Sequence, residues 1–232
     1  MKTLATHEYE SKLLDALLGR VERDLEIEHL GKVDKAKQKE RIMQEMKECY
    51  DDPVYFIENY LYTDKNPWFF SDRIQTLVPY LLFDYQIDTI DKLVKCIDDK
   101  QNVFIEKSRQ LGISWLLCAF ALYWFLFHDY KILFLSQKED FVDKIWDLQS
   151  LFQKIRFMTA ELPKWMLPRD FDIDKHMPRL RIYKPKGQGT GSITGESANT
   201  NAGTGGTYKF VFCDEFSKID NAKSINTSIQ AT

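Results

Sequence analysis

Residues 106–114 hold Lys107, Ser108, Arg109, Gly112 and Ser114, with Gln110, Leu111 and Ile113 between them. An apolar run at 102–105 precedes this stretch and a longer apolar run follows it, so the pattern predicts a strand, a loop and a helix. In that setting backbone N–H groups and a helix N-terminus can be aimed at phosphate oxygens, while a hydroxyl just inside the helix ligates magnesium. Gly112 and Ser114 fit those two roles. Laid over GxxxxGK[ST], Lys107 stands at the first glycine and Ile113 at the usual lysine. The cation would therefore be Lys107, reaching back over the loop, with Arg109 adding charge near a γ-phosphate. Taken alone, the segment is explained equally well by an ordinary strand-to-helix turn with basic residues.

Further along, Phe210, Val211, Phe212 and Cys213 form an apolar run that ends in Asp214 and Glu215. A strand ending in two acids can hold magnesium through the first, Asp214, and polarise an attacking water with the second, Glu215. A lone Asp-Glu pair is more often a solvated turn. Two such runs in this order, each at the carboxyl end of an expected strand where α/β sheets bind ligands, shift the balance towards a nucleotide site. A third piece precedes the loop: Tyr85 and Gln86 open an amphipathic run, and a glutamine amide can read the donor and acceptor edge of adenine. A helix cap involving Asp84 is the plainer account of that pair.

These pieces need a frame. Of 232 residues, 44% are hydrophobic and 29% charged, enough for a buried core. A net charge of -3 excludes a strongly basic nucleic-acid binder, so any grip on DNA must be local. The four cysteines lack a CxxC pair and read as reduced, packed thiols. The apolar run 115–127 is shorter than the roughly 20 residues a membrane span needs and reads as a core helix, and the first residues lack a secretion pattern. Residues 8–48 read as helical, with Leu13, Leu14, Leu17, Leu18 and Val21 at amphipathic spacing and a solvated polar stretch at 32–41. Asp52-Pro53 breaks that pattern, and an aromatic helical run at 54–61 ends near Asn66-Pro67.

We therefore expect a helical appendage over 1–65 and an α/β core over 66–232, its largely parallel sheet flanked by helices. Strands are expected at 102–106, 131–136, 179–183, 192–195 and 209–213, the last buried, and helices at 87–97, 114–127 and 139–157. The turn 184–189, with Lys184 and Lys186 among glycines, is a candidate contact for a DNA backbone, or simply an exposed turn.

Together these residues resemble the large terminase subunits of tailed phages. The likeness runs over about 50–220: the opening segment 52–60, Phe83-Asp84-Tyr85-Gln86, Lys107-Ser108-Arg109-Gln110-Leu111-Gly112, and the run 197–203 followed by 210–215. The resemblance implies a P-loop NTPase core of the ASCE, RecA-like type that hydrolyses ATP with Mg2+ to move double-stranded DNA into a procapsid. In it Lys107 binds phosphate, Arg109 acts as an arginine finger or trigger, Ser114 and Asp214 hold the metal, and Glu215 is the catalytic carboxylate. It further implies a small terminase subunit, a portal protein and a homo-oligomeric ring as partners, no membrane, and a place in the host cytoplasm, transiently at the portal. Thr204 stands where many relatives have arginine. The chain stops before the coupling motif and nuclease domain of these enzymes, so a truncated product without DNA cutting is expected. Two other readings stay open. One is a helicase-like ATPase, although Phe216-Ser217 follows Glu215 in place of that family's continuation. The other is a catalytically idle nucleotide-binding assembly module.

Overall fold

The computed structural model describes residues 4–64, 77–108, 111–199, 202–203 and 206–219. The chain divides into two compact units, Met1–Asp84 and Tyr85–Thr232. The expected boundary near 65–66 and the Asn66-Pro67 helix stop lie outside the described residues.

The first unit is helical: α1 (Leu4–Val33), α2 (Lys35–Asp51) and α3 (Pro53–Tyr60), followed by β1 (Tyr62–Thr63) and β2 (Val78–Pro79), which pair antiparallel. Aspartates set the breaks. Asp34 caps α2 by accepting from the N–H groups of Ala36 and Lys37, and Asp52 caps α3 by accepting from those of Val54 and Tyr55, with Pro53 in the first turn. The polar stretch at 32–41 thus contains a helix junction. Leu13 is buried, whereas Leu14, Leu18 and Val21 are exposed, so the apolar spacing of α1 is only partly used inside this unit. Arg20 and Arg23 of α1 donate to the Glu58 and Asn59 carbonyls at the end of α3, where the helix dipole favours cations. Glu45 is buried and accepts from the hydroxyls of Tyr55 and Tyr60 while pairing with Arg41. Burial pushes its carboxyl up, but the bonds from Tyr60, Arg41 and Tyr55 outweigh that and hold it below the ordinary value.

The second unit is mixed α/β. Its elements are α4 (Asp84–Asp98, beginning at the division), α5 (Ile113–Phe127), β3 (Lys131–Ser136), α6 (Glu139–Val142), α7 (Leu151–Ala160), α8 (Ile173–His176), β4 (Arg181–Tyr183), β5 (Ser192–Ser197) and β6 (Phe210–Cys213). The strands form a four-stranded sheet in the order β4-β5-β3-β6. β5, β3 and β6 run parallel, and β4 adds an antiparallel edge.

Alternation along β3 splits the core. Phe134 turns towards Phe152 of α7 and Phe212 of β6, and Phe210 meets Phe120 of α5. Leu133 and Leu135 turn the other way, onto Ala202 and Ile219. Every residue of α5 from 116 to 125 is buried, as expected for a core helix. Gly195 in β5 makes room for this packing: a Cβ there would meet Val142 Cγ1 at 2.6 Å and a Phe152 ring carbon at 2.8 Å.

Three expectations need correction. Residues 102–106 form no strand among the described residues. The segment is irregular, with Val103 and Phe104 exposed, and among the described residues β6 pairs with β3 alone. An apolar run becomes a strand only where a ladder satisfies its backbone, and among the described residues no strand pairs with this segment. For the same reason β6 is half-buried along its whole length rather than buried.

The single helix expected at 139–157 is broken between α6 and α7. The cause is long-range: the fully buried Asp143 carboxylate receives Arg156 Nη1 at 2.6 Å, Arg156 Nη2 at 2.8 Å and the Leu180 N–H at 2.6 Å. The Ser150 hydroxyl bonds the Lys144 and Asp147 carbonyls across the break.

Finally, Lys184 is not available to a backbone phosphate. Its ammonium lies 3.1 Å from Asp129 and 5.6 Å above the Phe125 ring, with the side chain 7% exposed.

Candidate functional site

The carboxyl ends of the parallel strands bring together the two halves of the expected nucleotide site. Ser114, in the first turn of α5, donates its hydroxyl to Asp214 Oδ2 at 3.3 Å across 100 residues of sequence. Lys107 Nζ lies 3.2 Å from the same hydroxyl and 3.7 Å from Asp214 Oδ1. Asp214 follows the last residue of β6 and is fixed by its own N–H, which donates to the Leu135 carbonyl of β3 at 2.9 Å. The lysine at the beginning of the loop, rather than one beside the helix, is thus the cation that meets the acid. Both side chains are partly open to solvent, Lys107 34% and Asp214 17% exposed.

The turn into α5 is built around Gly112. Its φ of 70° lies in the left-handed region, and a Cβ there would meet Gln86 Nε2 at 3.0 Å. Glycine serves the turn and the close approach at once. With Gly112 as N-cap, no side chain among the described residues caps α5, so its first-turn N–H groups are suited to another acceptor. Tyr85 and Gln86, in the first turn of α4, both reach this loop: the Tyr85 hydroxyl donates to the Leu111 carbonyl at 2.9 Å and the Gln86 amide at 3.3 Å. Gln86 is only 2% exposed, so the tether is internal. Ile113 is buried beneath the loop and Ser108 is exposed on it; Arg109 and Gln110 lie outside the described residues.

Glu215 turns aside from the Lys107–Ser114–Asp214 cluster. It is exposed, has a φ of 51°, and its carboxylate accepts from Lys218 at 2.9 Å. A non-glycine residue in the left-handed region is strained, and such strain concentrates at functional positions. Cys213, the preceding residue, has its thiol pushed up to about 12 by burial and by Asp214, and burial does the same to Cys118 in α5. Both thiols stay protonated and packed.

One neighbour escaped sequence reasoning. Lys154 of α7 is 6% exposed, donates to the Gln149 and Ser150 carbonyls, and lies 5.8 Å from the centre of the Trp115 ring, next to Ser114 in sequence. Burial pulls its ammonium below the ordinary lysine value, and the charges of Asp214 and Lys107 both act on it. The available signal was its spacing, three residues after Leu151 and four before Met158, which puts a lysine on an apolar helical stripe.

Residues 104–231, more than half of the chain, match the family described as terminase large subunit, T4likevirus-type, N-terminal. The chain belongs to the terminase large subunit family. The matched region includes the loop with Lys107, helix α5, Ser114 and Asp214, the residues that meet at the sheet's carboxyl end. Membership supports a role in DNA packaging, and the family is generally one of ATPases. No curated protein matches the chain. Among the described residues no helix is long and apolar enough to cross a membrane.

Proposed function

We propose that this terminase chain is the ATP-hydrolysing motor part of a DNA-packaging machine, with a P-loop core of the ASCE, RecA-like type. The observation that carries the reading is the meeting of Ser114, Lys107 and Asp214 at the end of β6. The donor set fits magnesium. A hydroxyl and a carboxylate are hard oxygen ligands, too few for a closed protein cage, and magnesium is commonly shared between one or two such ligands and substrate phosphates. Among the described residues no group of three or more His, Cys, Asp or Glu is placed to hold a metal alone. The ammonium of Lys107 now lies against both oxygen-bearing groups, so the position already balances positive charge.

When bound, magnesium would neutralise charge on the β- and γ-phosphates. Ser114 and Asp214 would hold it, and the uncapped N-terminus of α5 would receive phosphate oxygens. Lys107 would exchange its contact with Asp214 for the phosphates. Glu215 would release Lys218, swing to the attacking water and take up its proton as the in-line displacement proceeds. Tyr85 and Gln86, tethered to Leu111, would couple the adenine end to the loop, and Arg109 would serve as the arginine finger. Double-stranded DNA, a portal, a small terminase subunit and further copies in a ring are the partners this reading requires.

A second reading, an assembly module that binds nucleotide without turnover, is favoured by the pairing of Glu215 with Lys218. Steady-state ATP hydrolysis with magnesium, measured beside nucleotide binding, separates the two. Glu215→Gln should keep binding and lose about 10²- to 10⁴-fold in turnover. Lys107→Ala should lose about 10²-fold or more as its charge is removed from the phosphates. Binding without turnover in the wild type would favour the assembly module, and no nucleotide binding would refute both.

A further inference from the structure

The amino end of the same sheet carries a second feature that the nucleotide reading does not use. A cleft of about 370 Å³ lies there, its cations supplied by Lys131, Arg181 and Lys184 and its hydroxyls by Ser192, Thr194 and Thr207. The register explains the lining. Lys131 stands beside Ser192 and Ser192 beside Tyr183, a polar row across β3, β5 and β4, while Thr194 stands beside Arg181 on the same face of β5 and β4 and meets Leu133 on β3. Farther along β3 that face carries Leu133 and Leu135, covered by Ala202 and Ile219. The apolar half is closed, and the polar half is left as a groove.

Among the described residues no carboxylate lines the cleft, and Asp129 and Glu196 are already engaged. Asp129 accepts from the Thr190 and Gly191 N–H groups and pairs with Lys184. Glu196 accepts from the Gly203 N–H. Asp129 therefore neutralises Lys184 and shapes the loop, while Lys131 and Arg181 remain exposed with their charge facing the groove. A concave wall of two exposed cations and several hydroxyls, without acid, is a seat for phosphate oxygens.

We propose that this cleft binds the phosphodiester backbone of duplex DNA, at the opposite end of the strands from the Lys107–Ser114–Asp214 cluster. The choice of DNA over an isolated phosphate rests on the packaging reading; the anion chemistry does not. Contacts of this kind position a duplex without reading its sequence.

The test is the salt dependence of binding to a short fluorescent duplex, measured by anisotropy. In the Lys131→Gln/Arg181→Gln variant, binding should weaken, and the slope of log K against log[salt] should become shallower by about 1.8. Lys131→Arg alone should keep the wild-type slope, and matched thermal melts guard against misfolding. An unchanged slope in the double variant would overturn the proposal. Loss of duplex binding in Lys107→Ala but not in the double variant would also overturn it, by moving the grip to the other end. Displacement of the duplex by inorganic phosphate at concentrations that leave the ionic strength unaltered would reassign the cleft to a free phosphate. ATP turnover of the double variant, recorded alongside, should match wild type. If no protein in the set turns over ATP, the motor reading fails while the slope still judges the cleft.

Discussion

The two ends of β3, β5 and β6 differ in what their charged groups do for one another. At the carboxyl end one lysine, Lys107, is set against one acid, Asp214, with the Ser114 hydroxyl between them. At the amino end the nearby acid, Asp129, is spent on Lys184 and on the Thr190 and Gly191 N–H groups, which leaves Lys131 and Arg181 facing the cleft. The first arrangement suits an ion that must be exchanged, a metal with its phosphates. The second suits a plain polyanion. The six residues of β3 keep the two apart by roughly 17 Å, far enough that their direct interaction is largely screened at physiological salt.

The sharpest way to break the contrast is to damage the frame both ends share. Arg156 and Asp143 form a buried pair beneath the sheet, and Arg156 also donates to the Met177 and Pro178 carbonyls. Arg156→Ala strands a buried carboxylate, which costs about 3–5 kcal/mol. Thermal melting should drop by on the order of 10 °C, with nucleotide and duplex binding failing together. If one survives intact, the two ends do not depend on a common scaffold.

A smaller effect comes from pH. Burial raises the Asp129 carboxyl, but the Thr190 and Gly191 N–H groups and Lys184 outweigh it and hold the folded value below the ordinary one. Its contribution is therefore complete above the unfolded carboxyl's pKa and fades as pH falls through the lowered folded value. In Asp129→Asn the acid limb of the stability profile should lose that component. Duplex binding should stay equal or tighten slightly in the same variant, because the acid that neutralises Lys184 is gone, with nucleotide binding untouched.

The grouping of Lys107, Ser114 and Asp214 was more legible in the sequence than the sheet was. Lys107, Ser114 and Asp214 could be singled out because the proposed phosphate and metal chemistry asks for particular residue types in a fixed order, and the fold places Ser114 and Lys107 against Asp214. β3 and α5 are legible because each is a strong, uninterrupted apolar run. The segment 102–106 misleads, since its composition suits a strand while pairing depends on a neighbouring ladder that no local pattern encodes. The break between α6 and α7 has the same origin: Asp143 is held by groups far along the chain, Arg156 and Leu180. The turn at 184–189 drew attention by its two lysines, yet Lys184 is internal, and only Lys186 is exposed. The cations that line the cleft, Lys131 and Arg181, sit singly at strand starts and become a group only through register.

On the proposed function, Ser114 and Asp214 form a magnesium–phosphate seat. It is tested most directly by ATP affinity with and without magnesium, in the wild type and in Asp214→Asn. Magnesium should tighten ATP binding to the wild type, and Asp214→Asn should abolish this gain while leaving the metal-free affinity equal or slightly stronger, because a negative charge beside the phosphates is gone. Magnesium-independent binding in the wild type, or an undiminished magnesium effect in Asp214→Asn, would contradict it.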